Sequence, residues 1–272
     1  MTVLEGLKPE KVFYFFEKLC EIPHGSTNMK EISDYLVSFA KERNLKYYQD
    51  EAYNVVIYKE ASAGYEDAPI TILQGHCDMV AEKTPDSNHD FTKDGLKLKV
   101  EGDYLTAEGT TLGGDDGIAV AYMLAILDDD TLKHPALECV ITTDEEIGLL
   151  GAKALDTSVL KGTHMINMDS EEEGYLWISC AGGLSGTSRI PVEYQEMEGV
   201  VTEVLIDGLN GGHSGAEIDK NRANANKLMG LFLYELGQKT AYSIKDLSGG
   251  TKDNAITRSC KATLVLGEED LA

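Results

Sequence analysis

Short apolar runs that give way to acidic or imidazole side chains recur along this chain, and they constrain its fold more than any other feature. PITILQGH ends on His76, ALECVITT leads into Asp144, Glu145 and Glu146, and HMINMD closes on Asp169. Runs such as ITIL and VIT suit strands covered on both faces. Amphipathic helices are predicted over residues 9–21, where Val12, Phe15, Phe16 and Leu19 share a face, and over 28–43, where Ile32, Tyr35, Leu36 and Phe39 do. IPHGSTN between them reads as a loop, NVVIYK as a further strand and GIAVAYMLAILDD as a helix. This alternation argues for an α/β layered domain.

Past about residue 182 the texture changes. GLSGTSRIPVEY, VTEVLIDGL and KATLVL alternate like half-exposed antiparallel strands around one helix near NANKLMGLFLYELG, and a second, smaller domain is read there. The glycines of GGHSG suit a tight turn. No Pro- or Ser-rich linker marks the boundary, and there is no internal repeat.

The 272 residues carry 47 acidic against 24 basic side chains, a formal charge of -23 that repels nucleic acid and anionic membranes. No segment approaches the roughly 18 uninterrupted apolar residues of a membrane span, and the N-terminus lacks the pattern of an export signal. Five cysteines without CxxC spacing suggest neither a disulfide framework nor a thiolate zinc site, so a reducing cytoplasm is expected.

Four stretches place ligand-type side chains where strands are predicted to end. They are His76 and Asp78 in QGHCDMV, Asp115 and Asp116 in TLGGDDGIA, Glu145 and Glu146 in TTDEEIG, and Asp169 in INMDSEEEG. Loops converge at such strand ends in open α/β sheets. Each stretch alone has a plainer reading. A lone histidine after a strand is more often structural, GGDDG is more often a turn with helix-capping aspartates, and DEE is usually a solvated helix start. Crowded carboxylates raise one another's pKa unless a cation or water intervenes. Four such sites in one chain favour the cation, and one imidazole with several carboxylates suits Zn²⁺, Mn²⁺ or Co²⁺. Phosphate binding at TTLGGDDG is disfavoured by its two aspartates and its lack of a P-loop lysine.

At these residues the chain resembles the dinuclear zinc exopeptidases that include carnosinase, and within them the bacterial aminoacyl-histidine dipeptidases. The resemblance rests on GHCDMV, HDFTKD, GTTLGGDDGI, TDEEIG, NMDSEEEG, CAGG, GGHSG, NANKL and GGTKDNAI, in the family's order and approximate spacing. It implies a mixed, mostly parallel sheet covered by helices as the catalytic domain, over residues 1–183, and a partial α+β lid and dimerisation domain over 184–272. It further implies that His76 and Asp169 hold one zinc, that Asp115 bridges two, and that Glu146 belongs to the second. Glu145 becomes the general base and Asp78 the partner that orients the His76 ring, with a cis bond between Asp115 and Asp116. In the lid, His213 would steady the carbonyl oxygen, while Asn254 and Arg258 would hold the substrate backbone and carboxylate. The implied activity is hydrolysis of dipeptides, Xaa-His (carnosine-like) substrates above all, by a homodimer joined through the lid.

The family pattern includes one more zinc-binding histidine near the end of a longer chain. Here the last of the six histidines is His213, and the sequence stops inside the lid, so it reads as the N-terminal portion of a peptidase. On that reading at most one zinc binds tightly, and activity is weak unless a second polypeptide supplies the rest. Alternatives are a tripeptidase, an N-acyl amino acid deacylase on the same scaffold, or a non-catalytic fragment.

Overall fold

The computed structural model describes residues 3–170, 172–180, 182, 184, 186–215, 217–252 and 254–268. The chain divides into two compact units, Met1–Tyr175 and Leu176–Ala272. Residue 183, at which the sequence reading ends the first domain, lies outside the described residues, as does part of the CAGG motif.

In the first unit α1 (Glu10–Cys20) and α2 (Lys30–Glu42) precede β1 (Lys46–Gln49), β2 (Val55–Lys59) and β3 (Thr71–His76). A hairpin of β4 (Leu98–Glu101) and β5 (Tyr104–Ala107) follows, then α3 (Gly114–Leu127), β6 (Leu137–Thr142), α4 (Leu150–Ala154) and β7 (His164–Asn167). The sheet order is β1-β2-β6-β3-β7. The β3–β6 and β3–β7 pairs are parallel, whereas β2 runs antiparallel to both neighbours, so four of the five strands point one way. The sheet is mixed and mostly parallel, as the sequence implied.

Side-chain alternation explains how the sheet is covered. Val55, Ile57, Leu73, Cys139 and Ile141 face a core completed by Phe15, Phe16 and Leu19 of α1, Ile32, Leu36 and Phe39 of α2, and Val120, Met123 and Leu124 of α3. Val56, Ile72 and Val140, on the opposite face, pack with Leu155, Val159 and Leu160. Each large apolar side chain sealed this way contributes about 1.5–3 kcal/mol, so the faces read from the sequence are the ones that hold the unit together.

Two of the buried charges, Glu138 and Lys59, brace this apolar frame. Glu138, 3% exposed within β6, accepts the N–H groups of Lys161 and Gly162 at 2.9–3.0 Å and so fixes the turn that precedes β7. Lys59, 9% exposed at the end of β2, donates through Nζ to the carbonyls of Ile126, Leu127 and Asp129 at 2.9–3.3 Å. They lie at and just past the C-terminal end of α3 (Gly114–Leu127), where a cation complements the helix dipole.

In the second unit β8 (Val200–Ile206), β9 (Gly212–His213), α5 (Ala225–Gly237), β10 (Tyr242–Gly249), β11 (Ala255–Ile256) and β12 (Cys260–Leu266) follow in order. An antiparallel sheet β10-β12-β8 packs against α5 through Ala225, Met229, Leu233, Cys260, Ala262 and Leu264. Asn224 caps α5 by accepting the N–H groups of Asn226 and Lys227.

The strand expected at GLSGTSRIPVEY is not formed: residues 184 and 186–194 lack regular structure, and Ile190 and Tyr194 are largely exposed. Alternation alone does not make a strand, because each strand needs a neighbour to satisfy its N–H and C=O groups. None pairs with this segment among the described residues. Central β12, expected to be half-exposed, is mostly buried because it is paired on both edges.

Candidate metal centre

The parallel register of β3, β6 and β7 brings their C-terminal ends together. His76 is the last residue of β3 and pairs with Thr142 of β6, while Gln74 pairs with Asn167 of β7. The next residues of each strand therefore emerge side by side, carrying Asp78, Glu145, Glu146 and Asp169. Asp115 and Asp116 differ from expectation, since they stand in the first turn of α3 and not at a strand end. Their backbone is non-helical, Gly113 before them is left-handed at φ 69°, and the Asp115–Asp116 bond is cis.

Around the imidazole the distances are short. His76 Nε2 lies 2.9 Å from Asp115 Oδ1, 3.9 Å from Glu145 Oε2 and 4.0 Å from Asp169 Oδ2. One ligand atom from each of His76, Asp115 and Glu146 falls within a mutual 4.8 Å, and so does one from each of His76, Asp116 and Asp169. The four side chains proposed as ligands thus converge, and Asp116 joins them. Asp116 is buried, with Oδ2 accepting the His76 N–H at 3.3 Å.

The ring orientation is set from the other nitrogen. His76 Nδ1 is 3.0 Å from the Asp78 carbonyl oxygen and 3.3 Å from its Oδ1, so the proton on Nδ1 is spoken for and Nε2 is aimed at the carboxylates. Asp78 does more than hold the ring. Its carboxylate also accepts the N–H groups of Glu145 at 2.9 Å and Glu146 at 3.3 Å, and the Ser26 hydroxyl at 2.8 Å. One buried carboxylate thereby ties the histidine loop to the glutamate loop.

Electrostatics describe a cluster short of positive charge. Burial pushes Asp116 up to about 7, and the nearby Asp169 and Asp115 charges add to that against the pull of His76. Burial likewise raises Glu146 to about 7, reinforced by Asp115 and Glu145. Glu145 is raised by burial and by the charges of Asp169, Asp78 and Asp115, again against His76. For His76 burial opposes protonation, but the Asp78 hydrogen bond and the surrounding carboxylates push it up to about 10. Asp78 runs the other way: burial opposes its charge, yet the bonds from His76, the Glu145 N–H and Ser26 hold it below the ordinary carboxylate range. Among the described residues no lysine or arginine pairs with Asp115, Glu145 or Glu146. A divalent cation fits this donor set in both charge and chemistry, with one neutral imidazole and several carboxylates as ligands.

Contacts that the sequence did not announce hold the glutamate loop. Asn54, fully buried, accepts the Thr143 N–H at 3.1 Å and donates to Asp50 and to the Gly151 carbonyl. Gly151 is required there, because a Cβ would meet the Thr143 carbonyl oxygen at 2.3 Å. Gly75 is required beside the aspartates, where a Cβ would stand 2.5 Å from Asp116 Oδ2. A polar residue set against an apolar run is the one local signal that could have flagged Asn54.

His213, Asn254 and Arg258 belong to the second unit and come together there. His213 pairs with Ala255 across the β9–β11 ladder, the Ser214 N–H donates to the Asn254 carbonyl at 2.9 Å, and Arg258 Nε donates to the Leu209 carbonyl at 3.0 Å. All three line a cleft of about 890 Å³ together with Gly212, Thr257 and Ser248. Gly215 N–H donates to His213 Nδ1 at 3.1 Å, which places the proton of the neutral ring on Nε2 and makes that nitrogen a donor.

Comparison with known proteins agrees with this picture. Residues 206–270 match the M20_dimer family, described as a peptidase dimerisation domain. The cytosol non-specific dipeptidase of Escherichia coli is 39% identical over 99% of this chain, which spans 56% of that protein. The crystal structure of aminoacylhistidine dipeptidase from Vibrio alginolyticus superposes with a TM-score of 0.73 at 37% identity, covering 98% of this chain and 55% of the other. A tripeptidase of Staphylococcus aureus shares the fold at 20% identity and a TM-score of 0.53, over 93% of this chain and 65% of its own. No helix among the described residues is long and apolar enough to cross a membrane. In sequence and in fold, what the chain resembles over nearly its whole length is about half of a dipeptidase of the aminoacyl-histidine type, and part of its second unit is similar to a peptidase dimerisation domain.

Proposed function

We propose that the protein takes part in metal-dependent hydrolysis of dipeptides, with Xaa-His peptides of the carnosine kind as preferred substrates. The observation that carries this reading is the convergence of Asp115, Glu145 and Asp169 on Nε2 of His76, whose other nitrogen is held by Asp78. His76, Asp115, Glu146 and Asp169 are assigned as the residues that would hold zinc, with manganese or cobalt as substitutes. Bound there, a divalent cation would polarise the scissile carbonyl and lower the pKa of water at the site.

The chain's own groups supply the proton traffic and the orientation. Glu145 is adjacent to a ligand yet assigned to no ion, and its raised pKa suits a group that takes a proton from water and delivers it to the leaving amine. Asp78 keeps the His76 ring turned so that Nε2 is free of the ring's own proton when a metal is present. His213, with its donor on Nε2, is assigned to the oxyanion that develops on the substrate carbonyl, a role for which positioned N–H groups are suited. Asn254 and Arg258 are assigned to the substrate backbone and carboxylate. Residues 1–183 are assigned to the catalytic domain and 184–272 to the lid, through which the protein would form a homodimer. A cytoplasmic setting is proposed from the similarity to the cytosol dipeptidase.

Glu145→Gln tests the base assignment. Turnover of β-alanyl-histidine is expected to fall by about 10²–10⁴-fold with zinc content unchanged. Full activity in the metal-loaded variant would remove Glu145 from the mechanism, and preference for succinylated amino acids or tripeptides would reassign the substrate.

A further inference from the structure

We infer that Ser26, in the loop between α1 and α2, is a positioning residue of the metal centre, acting through Asp78; the inference rests on the metal-dependent reading above. Ser26 lies 52 residues from Asp78, and its Oγ donates to Asp78 Oδ2 at 2.8 Å. The donors to Oδ2 are this hydroxyl and the Glu146 N–H at a longer 3.3 Å, whereas Oδ1 takes the Glu145 N–H and faces His76 Nδ1. Without the hydroxyl, Oδ2 keeps only the weaker bond, and the carboxylate plane that sets both the imidazole and the two glutamates loses its anchor on that side.

A purely structural role for the hydroxyl fits less well. The loop is already fastened through its backbone: Ser26 N–H donates to the Met79 carbonyl at 3.2 Å, Met79 N–H donates to the His24 carbonyl at 3.2 Å, and Gly25 bridges to Met79. The hydroxyl's own distance to the Met79 carbonyl is 3.4 Å, longer than its bond to Asp78. The neighbouring residue repeats the pattern, since Thr27 N–H donates to Asp144 Oδ1 at 2.6 Å, at the head of the DEE run. One loop that carries no proposed ligand thus grips the loops that follow β3 and β6. A hydroxyl that bonds an ionised carboxylate stabilises the charged form in one orientation, which is what Asp78 requires to keep Nδ1 of His76 protonated and Nε2 available.

The test uses the full chain with Ser26→Ala and Ser26→Thr. Co²⁺ affinity is measured by chelator competition, the visible Co²⁺ absorption band reports ligand geometry, and urea unfolding of the metal-free proteins reports stability. Ser26→Ala is expected to bind Co²⁺ about 3–10-fold more weakly, less than the 10–100-fold typical of groups bonded directly to a ligand, with a shifted band. Ser26→Thr, which keeps the hydroxyl, is expected to return both to within about twofold of the parent. Unchanged affinity and band in folded Ser26→Ala overturns the inference. So does a folded Ser26→Thr that binds Co²⁺ about 3-fold or more weaker than the parent, a comparison that stands even if the alanine variant is too unstable to purify. A parent chain that binds no Co²⁺ at all strikes instead at the metal centre, and the inference falls with it.

Discussion

Asp78→Asn is the substitution that asks most of the site, because it changes charge at nearly constant shape. The Asp78 side chain is fully buried and faces four donors: Glu145 N–H and His76 Nδ1 at Oδ1, Glu146 N–H and Ser26 Oγ at Oδ2. An amide has one oxygen and one NH₂. With the oxygen at the Oδ1 position, Glu145 N–H and His76 keep their acceptor and Ser26 can rotate to accept, but Glu146 N–H then faces an NH₂. In the flipped orientation both Glu145 N–H and His76 lose their acceptor. The better choice leaves one buried donor unsatisfied, about 1–3 kcal/mol, and converts charge-assisted bonds to neutral ones, about 1 kcal/mol more. The expected loss is ~2–4 kcal/mol in urea unfolding of the metal-free protein. Because the Glu146 N–H is released and the His76 ring is left with a neutral acceptor in place of a charged one, zinc affinity should also fall by about 10–100-fold in chelator competition. A variant within about 0.5 kcal/mol of the parent, binding zinc equally well, would refute the view that this carboxylate joins the two loops.

The remaining predictions concern packing and protons. Gly75→Ala drives a Cβ to within 2.5 Å of Asp116 Oδ2 and 3.2 Å of the Ala119 Cβ; an overpacking cost of ~1–3 kcal/mol and weaker zinc binding are expected, and a fully stable variant with unaltered affinity would contradict the packing. For the metal-free protein the groups raised at the site give the pH dependence one sign, and His24, which burial holds below its ordinary value, opposes it only up to about pH 6.5. Glu146 and Asp116, raised to about 7, bind more protons folded than unfolded, so stability falls as pH rises from their ordinary values towards 7. His76, raised to about 10, contributes stability that is whole below its ordinary pKa and is lost as pH climbs towards 10. Groups held low, such as Glu217 at about 2, have finished titrating below pH 5. Urea midpoints with a chelator should therefore decline from pH 7 to pH 9, above the ordinary range of His24, and level out in saturating zinc; a midpoint that rises over that window with the chelator present would reverse the assignment.

The fold was legible where a segment's own pattern determines its fate. Helices α1, α2, α3 and α5 and strands β2, β3, β6, β7, β8 and β12 fall where apolar spacing puts them. Strand β1 and the β4–β5 hairpin were missed because their burial is slight, so no apolar period marks them. GLSGTSRIPVEY was misread for the converse reason, a period with no partner strand. At the site, ligand-type residues declare themselves by chemistry and by their place after strands. Ser26 and Asn54 do not: their partners lie 52 and 89 residues away, and a serine or asparagine in a loop is the commonest of turn residues. Which of Asp115 and Asp116 faces His76 Nε2, and that the other receives the His76 N–H, depends on the backbone at the start of α3 and is visible only in three dimensions.

Lys59 makes the centre harder to transplant than its ligand residues suggest. A designer who moved the strand ends and α3 onto another scaffold would bring the aspartates along but leave behind the ammonium that closes the helix at its far end. The last carbonyl of that helix, at Leu127, would lose its donor there, and the helix end would be loosened. The smallest portable version of this site therefore includes β2, a strand that bears none of its ligands.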